Sequence, residues 1–335
     1  MNTSYLRLSL IICTYQRPRE VGKLLNSLES QSLLPDEILV IDASPNNETQ
    51  DAVAPIVGQE FLKGLSYVKA GPNDRGLTRQ RNLGISLAKG DIIAFLDDDT
   101  IPSPTYFEEI LNCYQRNPSA IGVGGYVDES ELWFRNHKGE RLSRSNFHVE
   151  GWERPQGFRF VLREILGLAY PVPGIIPEWG HGRSNGFIPP DGRDHRVHCL
   201  IGCAASFRRS VFEKESFSKY FEGYGLYEDL DFSVRAMRHG DLILCTQALV
   251  NHYHSPSGRP NNFRYGMMVV RNGWYVWRVQ WPNPSTEARF KWWAVTALLT
   301  LFRLIDFRPS AIRKAIPEGI GRVWGMLSML WSTPR

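Results

Sequence analysis

The stretch GDIIAFLDDDTIPSP, residues 90–104, joins a fold signal to a chemical one. Ile92 to Leu96 form an apolar run of strand length without polar alternation. Such a strand is expected to be buried on both faces, as in a parallel sheet. The run passes directly into Asp97, Asp98 and Asp99. Three adjacent like charges repel, and burial raises the cost of each ionised carboxylate. A positive group is therefore expected at that point in the working protein.

Similar apolar runs occur upstream at LSLIIC (8–13), EILVIDA (37–43) and LSYVKA (65–70). Helical patterns separate them. PREVGKLLNSLESQS (18–32) has Pro18 at a first helical position and Val21, Leu24, Leu25 and Leu28 on one face. GLTRQRNLGISLAKG (76–90) ends at Gly90, and PTYFEEILNCYQRNP (104–118) follows the aspartates. Strands alternating with helices predict an α/β fold, doubly wound, with a mostly parallel sheet flanked by helices. Ligands of such sheets bind beyond the carboxyl ends of the strands. Those ends here are TYQRP, Asp42-Ala43-Ser44 and the triple aspartate.

The chain has 335 residues, 42% hydrophobic and 12% aromatic, enough for a sizeable core. Its net charge of +4 gives no reason to expect nucleic acid as a partner. Five scattered cysteines, Cys13, Cys113, Cys199, Cys203 and Cys245, suit a reducing compartment better than a disulfide framework. Cys199 and Cys203 have no second pair to complete a zinc site. LSLIIC is too short for a signal-peptide core. The longest C-terminal apolar run, WWAVTALLTLF (292–302), falls short of the roughly 18 residues that cross a membrane. A soluble or surface-bound protein is expected.

Residues 129–196 lose periodicity and read as an irregular insertion over the sheet edge of a domain covering 1–260, the kind of segment that carries recognition. Order returns at 197–217, then with a helix from Asp229 to Gly240 and a strand over 242–252. Residues 261–335 form a separate aromatic, basic region of three helices, carrying seven of the ten tryptophans. Its amphipathic pattern predicts a membrane surface or a helical homodimer interface. Helices simply packed on the sheet are the alternative.

Four clusters offer chemistry. Alternation along extended backbone sets Asp97 and Asp99 on one side and Asp98 on the other. That pair suits Mg2+ or Mn2+ bound together with substrate phosphates, although turn and cap aspartates read the same way. Glu228 and Asp229 open a helix, as caps or with a carboxylate placed to take a proton from an alcohol, which Arg235 would orient. His252 and His254 share one side of a strand exit, and either would complete a metal shell with Asp99. Arg259 would meet a phosphate. Arg75, Arg79 and Arg81 gather where a helix begins and anions are favoured, or else form a surface charge cluster.

The motifs SLIICTYQRP, DEILVIDAS, RQRNLGISLAKGDIIAFLDDDTIPSP and YEDLDFSVRAMRHG resemble, in order and spacing, the family 2 inverting glycosyltransferases of GT-A fold. The match covers about residues 7–128 and 197–254. The resemblance implies a nucleotide-sugar donor (UDP, dTDP or GDP) and an Mn2+ or Mg2+ cofactor. It implies Thr14 and Arg17 near the nucleoside, Asp42 on the base or ribose, and Arg81 with Asn82 near the donor. Asp97 and Asp98, with Asp99, fall on the acidic motif that holds sugar and metal. His252, or His254, corresponds to the metal-side histidine, and Glu228 with Asp229 to the acidic pair whose aspartate serves as base. The second motif departs from the pattern, reading IDASPNN where members often carry two adjacent acids and then Gly-Ser, so the nucleotide base stays open. The C-terminal helices resemble those of bacterial members that build surface polysaccharides on glycan or lipid-linked acceptors. That likeness implies a cytoplasmic protein, peripheral on the inner face of the membrane. A nucleotidyltransferase would carry a glycine-rich, lysine-containing loop that TYQRPRE lacks. An inactive sugar-nucleotide-binding module would not need Asp97, Asp99, Glu228 and Asp229 together.

Overall fold

Strand β1 (Leu8–Thr14) lies between β2 (Glu37–Asp42) and β4 (Ile92–Asp97), parallel to both, and β3 (Leu65–Lys69) adds a further parallel strand beyond β2. The computed structural model describes residues 5–135, 143–255 and 260–334. Registers Thr14↔Asp42 and Cys13↔Asp97 bring three polar strand ends level at one edge. Sequence-near helices cover both faces. Leu8, Leu10 and Ile12 join the core containing Val21, Leu24 and Leu25 of α1 (Pro18–Ser27). On the other face Ile11 meets Gly84 of α3 (Leu77–Leu87), which follows the short α2 (Glu48–Val53).

The remaining strands mix directions. After β5 (Thr100–Pro102) and α4 (Tyr106–Arg116), β6 (Ala120–Val127) enters the sheet. Residues Phe134–Arg135 (β7), Asn146–Val149 (β8) and Trp152–Pro155 (β9) form a separate antiparallel sheet in the order β7-β9-β8, followed by α5 (Phe158–Ile165). The main sheet resumes with β10 (Asp194–Val197), β11 (Ala204–Arg208) and, after α6 (Arg209–Phe212) and α7 (Glu228–Ala236), β12 (Asp241–His252). Its order is β10-β12-β6-β11-β4-β1-β2-β3, with β5 paired to β12. The expected parallel pairing holds for β3-β2-β1-β4 and for β6-β12, whereas β11 runs antiparallel between β4 and β6. Apolar periodicity reports burial and not direction, so both orientations fit its sequence.

Two placements matter for function. The β11–β4 register sets Ala204 opposite Leu96, which carries the loop containing Gly202 to the acidic edge. The β12–β5 pairing sets His252 opposite Thr100, beside Asp99.

The chain divides into two compact units, Met1–Asp128 with Pro190–Gly258, and Glu129–Pro189 with Arg259–Arg335. The second holds the small sheet, α5 and the helices α8 (Asn262–Gln280), α9 (Thr286–Leu304) and α10 (Ile312–Ser328). All ten tryptophans belong to it. Trp277 and Trp292 stack at 5.3 Å between ring centroids, and Trp274 and Trp293 pack around them. Among the described residues no helix is long and apolar enough to cross a membrane.

Candidate functional site

At the end of β4 the three aspartates part company. Asp98 is buried and accepts from Thr14 Oγ1 and from Arg17 Nη1, both at 2.8 Å. Asp99 sits 3.2 Å from His252 Nε2 and accepts the Ser255 N–H at 2.7 Å. Ligand atoms of Asp97, Asp99 and His252 all lie within 4.8 Å of one another. That trio includes His252 and not His254, whose ring stands 4.0 Å from that of His252. Burial pushes Asp98 up to about 6 against the pull of Arg17 and Thr14. Burial also acts on Asp99, but His252, the Ser255 N–H and Arg17 outweigh it and hold Asp99 at about 2. Burial raises Asp97 although Arg81 opposes it.

Arg81 is the buried hub behind these carboxylates. Its guanidinium donates to Glu228 at 2.5 Å and to the Gly202 carbonyl at 3.1 Å, lies 3.4 Å from Asp97, and rests over the Phe217 and Phe95 rings. Glu228 is itself buried, and burial pushes it up to about 8 even beside Arg81. Asp229 is half-buried and accepts the N–H groups of Gly202 at 3.0 Å and Leu230 at 2.8 Å. A Cβ at position 202 would lie 2.9 Å from both Arg81 Nη2 and Glu228 Oε1, so a side chain there would displace that ion pair.

Backbone conformation points to the same place. Tyr227, which precedes Glu228, has φ 71°, Gln16 beside Arg17 has φ 54°, and His254 has φ 51°. Among the described residues these are the non-glycine positive φ values of the first unit. Each is worth about 1–3 kcal/mol of strain, which persists only where the surroundings enforce it.

The sequence profile described as Glycosyl transferase family 2 matches residues 9–215, more than half of the chain. The chain belongs to glycosyl transferase family 2. This family 2 chain is 30% identical over 126 residues to a glucosyl-dolichyl phosphate glucuronosyltransferase of Haloferax volcanii, covering 36% of this chain and 38% of that one. It is 31% identical over 284 residues to the hyaluronan synthase of Pasteurella multocida, covering 77% of this chain and 25% of the synthase. It thus spans well under half the length of either relative. Its fold is similar to that of the mannosyltransferase PcManGT from Pyrobaculum calidifontis, solved in complex with GDP-Man and Mn2+. The TM-score is 0.55 at 15% identity, over 98% of this chain and 88% of that one.

The other expected residues of the family 2 chain are distributed unevenly. Asp42 is fully buried and accepts from Tyr67 Oη at 2.6 Å, Lys69 Nζ at 3.1 Å and the Ser44 N–H at 2.8 Å. Burial opposes its ionisation, but Ser44, Tyr67 and Lys69 hold it below the usual carboxylate range. Asn82 turns instead to the backbone of Phe217, donating to its carbonyl at 2.9 Å and accepting its N–H at 3.0 Å. Arg235 does not orient the Glu228–Asp229 pair. It binds Asp231 at 2.6 Å and Glu215 at 2.7 Å, because its position on α7 sets it one turn beyond Asp231. Arg79 is taken up by Glu222. Arg259 lies outside the described residues.

Sequence reasoning missed Tyr67, Lys69, Gly202 and Ser255. Tyr67 and Lys69 sit on the strand read only for its apolar pattern, and Gly202 lies within the Cys199–Cys203 span weighed only for metal. Cys113, Cys245 and Asp194 also lie within 4.8 Å of one another. Asp194 is already taken by two 2.9 Å bonds from Arg116 and one of 2.8 Å from Asn117, so that cluster is a satisfied polar network.

Proposed function

We propose that the chain is a metal-dependent inverting glycosyltransferase, moving a sugar from a nucleoside-diphosphate donor to a hydroxyl of a glycan or lipid-linked acceptor. One observation carries this: Asp97, Asp99 and His252 converge on the sheet edge that also presents Asp229. Two carboxylates and an imidazole fit Mn2+, and the carboxylate pair also fits Mg2+. A cation held by Asp97, Asp99 and His252 would supply Lewis acidity to the departing diphosphate.

The chain's own residues account for the rest. Asp229, held by the Gly202 and Leu230 N–H groups, takes the proton of the acceptor hydroxyl as its oxygen attacks the anomeric carbon. The new C–O bond forms as the bond from carbon to the diphosphate oxygen breaks on the opposite face. The electron pair leaves with the diphosphate and the carbon inverts. Glu228 remains bound to Arg81 and fixes the start of α7. Thr14 and Arg17 hold Asp98 beside the nucleoside, Tyr67 and Lys69 fix Asp42 for the base or ribose, and Asn82 positions its neighbour Arg81 through the Phe217 backbone.

Support for the donor class comes from the GDP-Man and Mn2+ bound by PcManGT. The dolichyl phosphate and hyaluronan in the relatives' names support lipid-linked or polymeric acceptors. Such chemistry belongs at the cytoplasmic face of a membrane, in cell-surface polysaccharide synthesis. Asp229→Asn tests the mechanism. Transfer should fall by about 10²–10⁴-fold, while donor affinity measured by calorimetry stays unchanged. Preserved turnover with lost donor binding would contradict the assignment.

A further inference from the structure

The C-terminal region is strongly basic. Residues 286–331, spanning α9 and α10, hold seven Lys or Arg against three Asp or Glu. The same segment leaves apolar side chains uncovered. On α10, Ile320, Trp324 and Leu327 recur at helical spacing and are 50%, 48% and 47% exposed, and Trp331 just beyond is 66% exposed. At the end of α9, Leu301 and the residue after the helix, Ile305, are also exposed, one turn apart. Phe158 of α5, also exposed, stands edge-on to Phe302 of α9 at 6.1 Å.

Part of this charge is not offset by a carboxylate. Arg313 and Lys314 are exposed, and no carboxylate among the described residues pairs with either. Arg303 and Arg322 share one buried carboxylate, Glu318, at 3.2 and 2.7 Å. Burial, then Arg303 and Arg322, hold the pKa of Arg159 on α5 below the ordinary guanidinium value.

An apolar stripe with tryptophans and unpaired cations is the pattern of a helix lying in a lipid interface. A second copy of the chain is the poorer occupant, since two such faces would set like charge against like. We propose that the exposed face of α10 in the second unit binds the surface of an anionic phospholipid bilayer. Arg313 and Lys314, at the start of that helix, would meet lipid phosphate, with Ile320, Trp324 and Leu327 entering the interface. The inference rests on the proposed lipid-linked acceptor for its purpose, but its test does not depend on turnover.

The test is co-sedimentation of the full chain with vesicles. Vesicles of equimolar phosphatidylcholine and phosphatidylglycerol should carry the protein down, and vesicles of phosphatidylcholine alone should carry down far less. Added salt should release part of it. Arg313→Glu with Lys314→Glu, both exposed and unpaired, should weaken binding by more than about tenfold, since each cation near such a surface contributes roughly fivefold. Trp324→Ala with Trp331→Ala should weaken it independently, with tryptophan-fluorescence melts confirming that both variants fold. Full recovery in the supernatant, or binding equal in all variants, would overturn the inference. So would a dimer in analytical ultracentrifugation that Trp324→Ala dissociates while vesicles bind nothing. Donor hydrolysis measured without vesicles separates the two readings: intact hydrolysis beside absent vesicle binding would overturn this inference alone.

Discussion

Arg81 holds the acidic edge together. Among the described residues it is the cation shared by Glu228 and Asp97, residues far apart in sequence. Removing it leaves two buried or half-buried carboxylates without a partner. Arg81→Met should therefore cost about 3–5 kcal/mol in chemical denaturation. Glu228→Gln should cost much less, because burial already favours the protonated form of Glu228. The two changes remove one shared contact, so the double variant should lose less than the sum of the singles, and an additive loss would contradict the coupling. His181 provides a pH test. Burial, with Arg163 and Arg322 nearby, holds it down to about 3 from an ordinary 6.5, while its ring contacts Thr296 Oγ1 at 3.1 Å and packs on Trp292. The folded pKa is the lower one, so the unfolded chain takes up the proton first. Stability should fall as pH drops from about 6.5 towards 3, by at most about 1.4 kcal/mol per pH unit. His181→Asn, which tolerates the local φ of 52°, should flatten that dependence. Single residues were partly legible in the sequence. Alternation alone separated Asp98 from Asp97 and Asp99, but the Arg81–Glu228 pair spans 147 positions, a distance over which no periodicity carries information.

At the scale of elements, α8 and α10 cross with almost no space between them. A Cβ at Gly266 would lie 2.0 Å from the Glu318 carbonyl oxygen, and one at Gly321 would lie 2.0 Å from that of Phe263. Gly266→Ala should force the helices apart and cost about 1–3 kcal/mol or more. Tryptophan fluorescence reads this directly, since every tryptophan belongs to the same unit. An unchanged melting transition would show that the crossing yields freely. The helices follow from a period of 3.6, most strands from short continuous apolar runs, and the ends from signals such as Pro18 and Gly240. The pairings that assemble the site do not. The antiparallel entry of β11 and the β5–β12 bridge that brings His252 to Asp99 depend on which strands meet in space. The small sheet β7-β9-β8 pairs strands of two to four residues, too short for any period to register.

Across the whole molecule, chemistry and charge fall into different units. The first unit carries Asp97, Asp99, His252, Glu228 and Asp229; the second carries every tryptophan and the cationic surplus. The insertion at 129–189 and the C-terminal helices, distant in sequence, share that second unit. Only their composition was visible beforehand, because neither segment has a pattern that names the other as its partner. The central claim is that Asp97, Asp99 and His252 hold a divalent cation that makes nucleotide binding productive. Calorimetric titration of UDP, GDP and dTDP sugars into the intact chain, with Mn2+ and then with chelator, tests it most directly. At least one donor should bind with Mn2+ and lose most of its affinity on chelation, and Asp99→Ala should behave with Mn2+ as the wild type does without it. Tight binding indifferent to both chelator and Asp99→Ala would contradict the account.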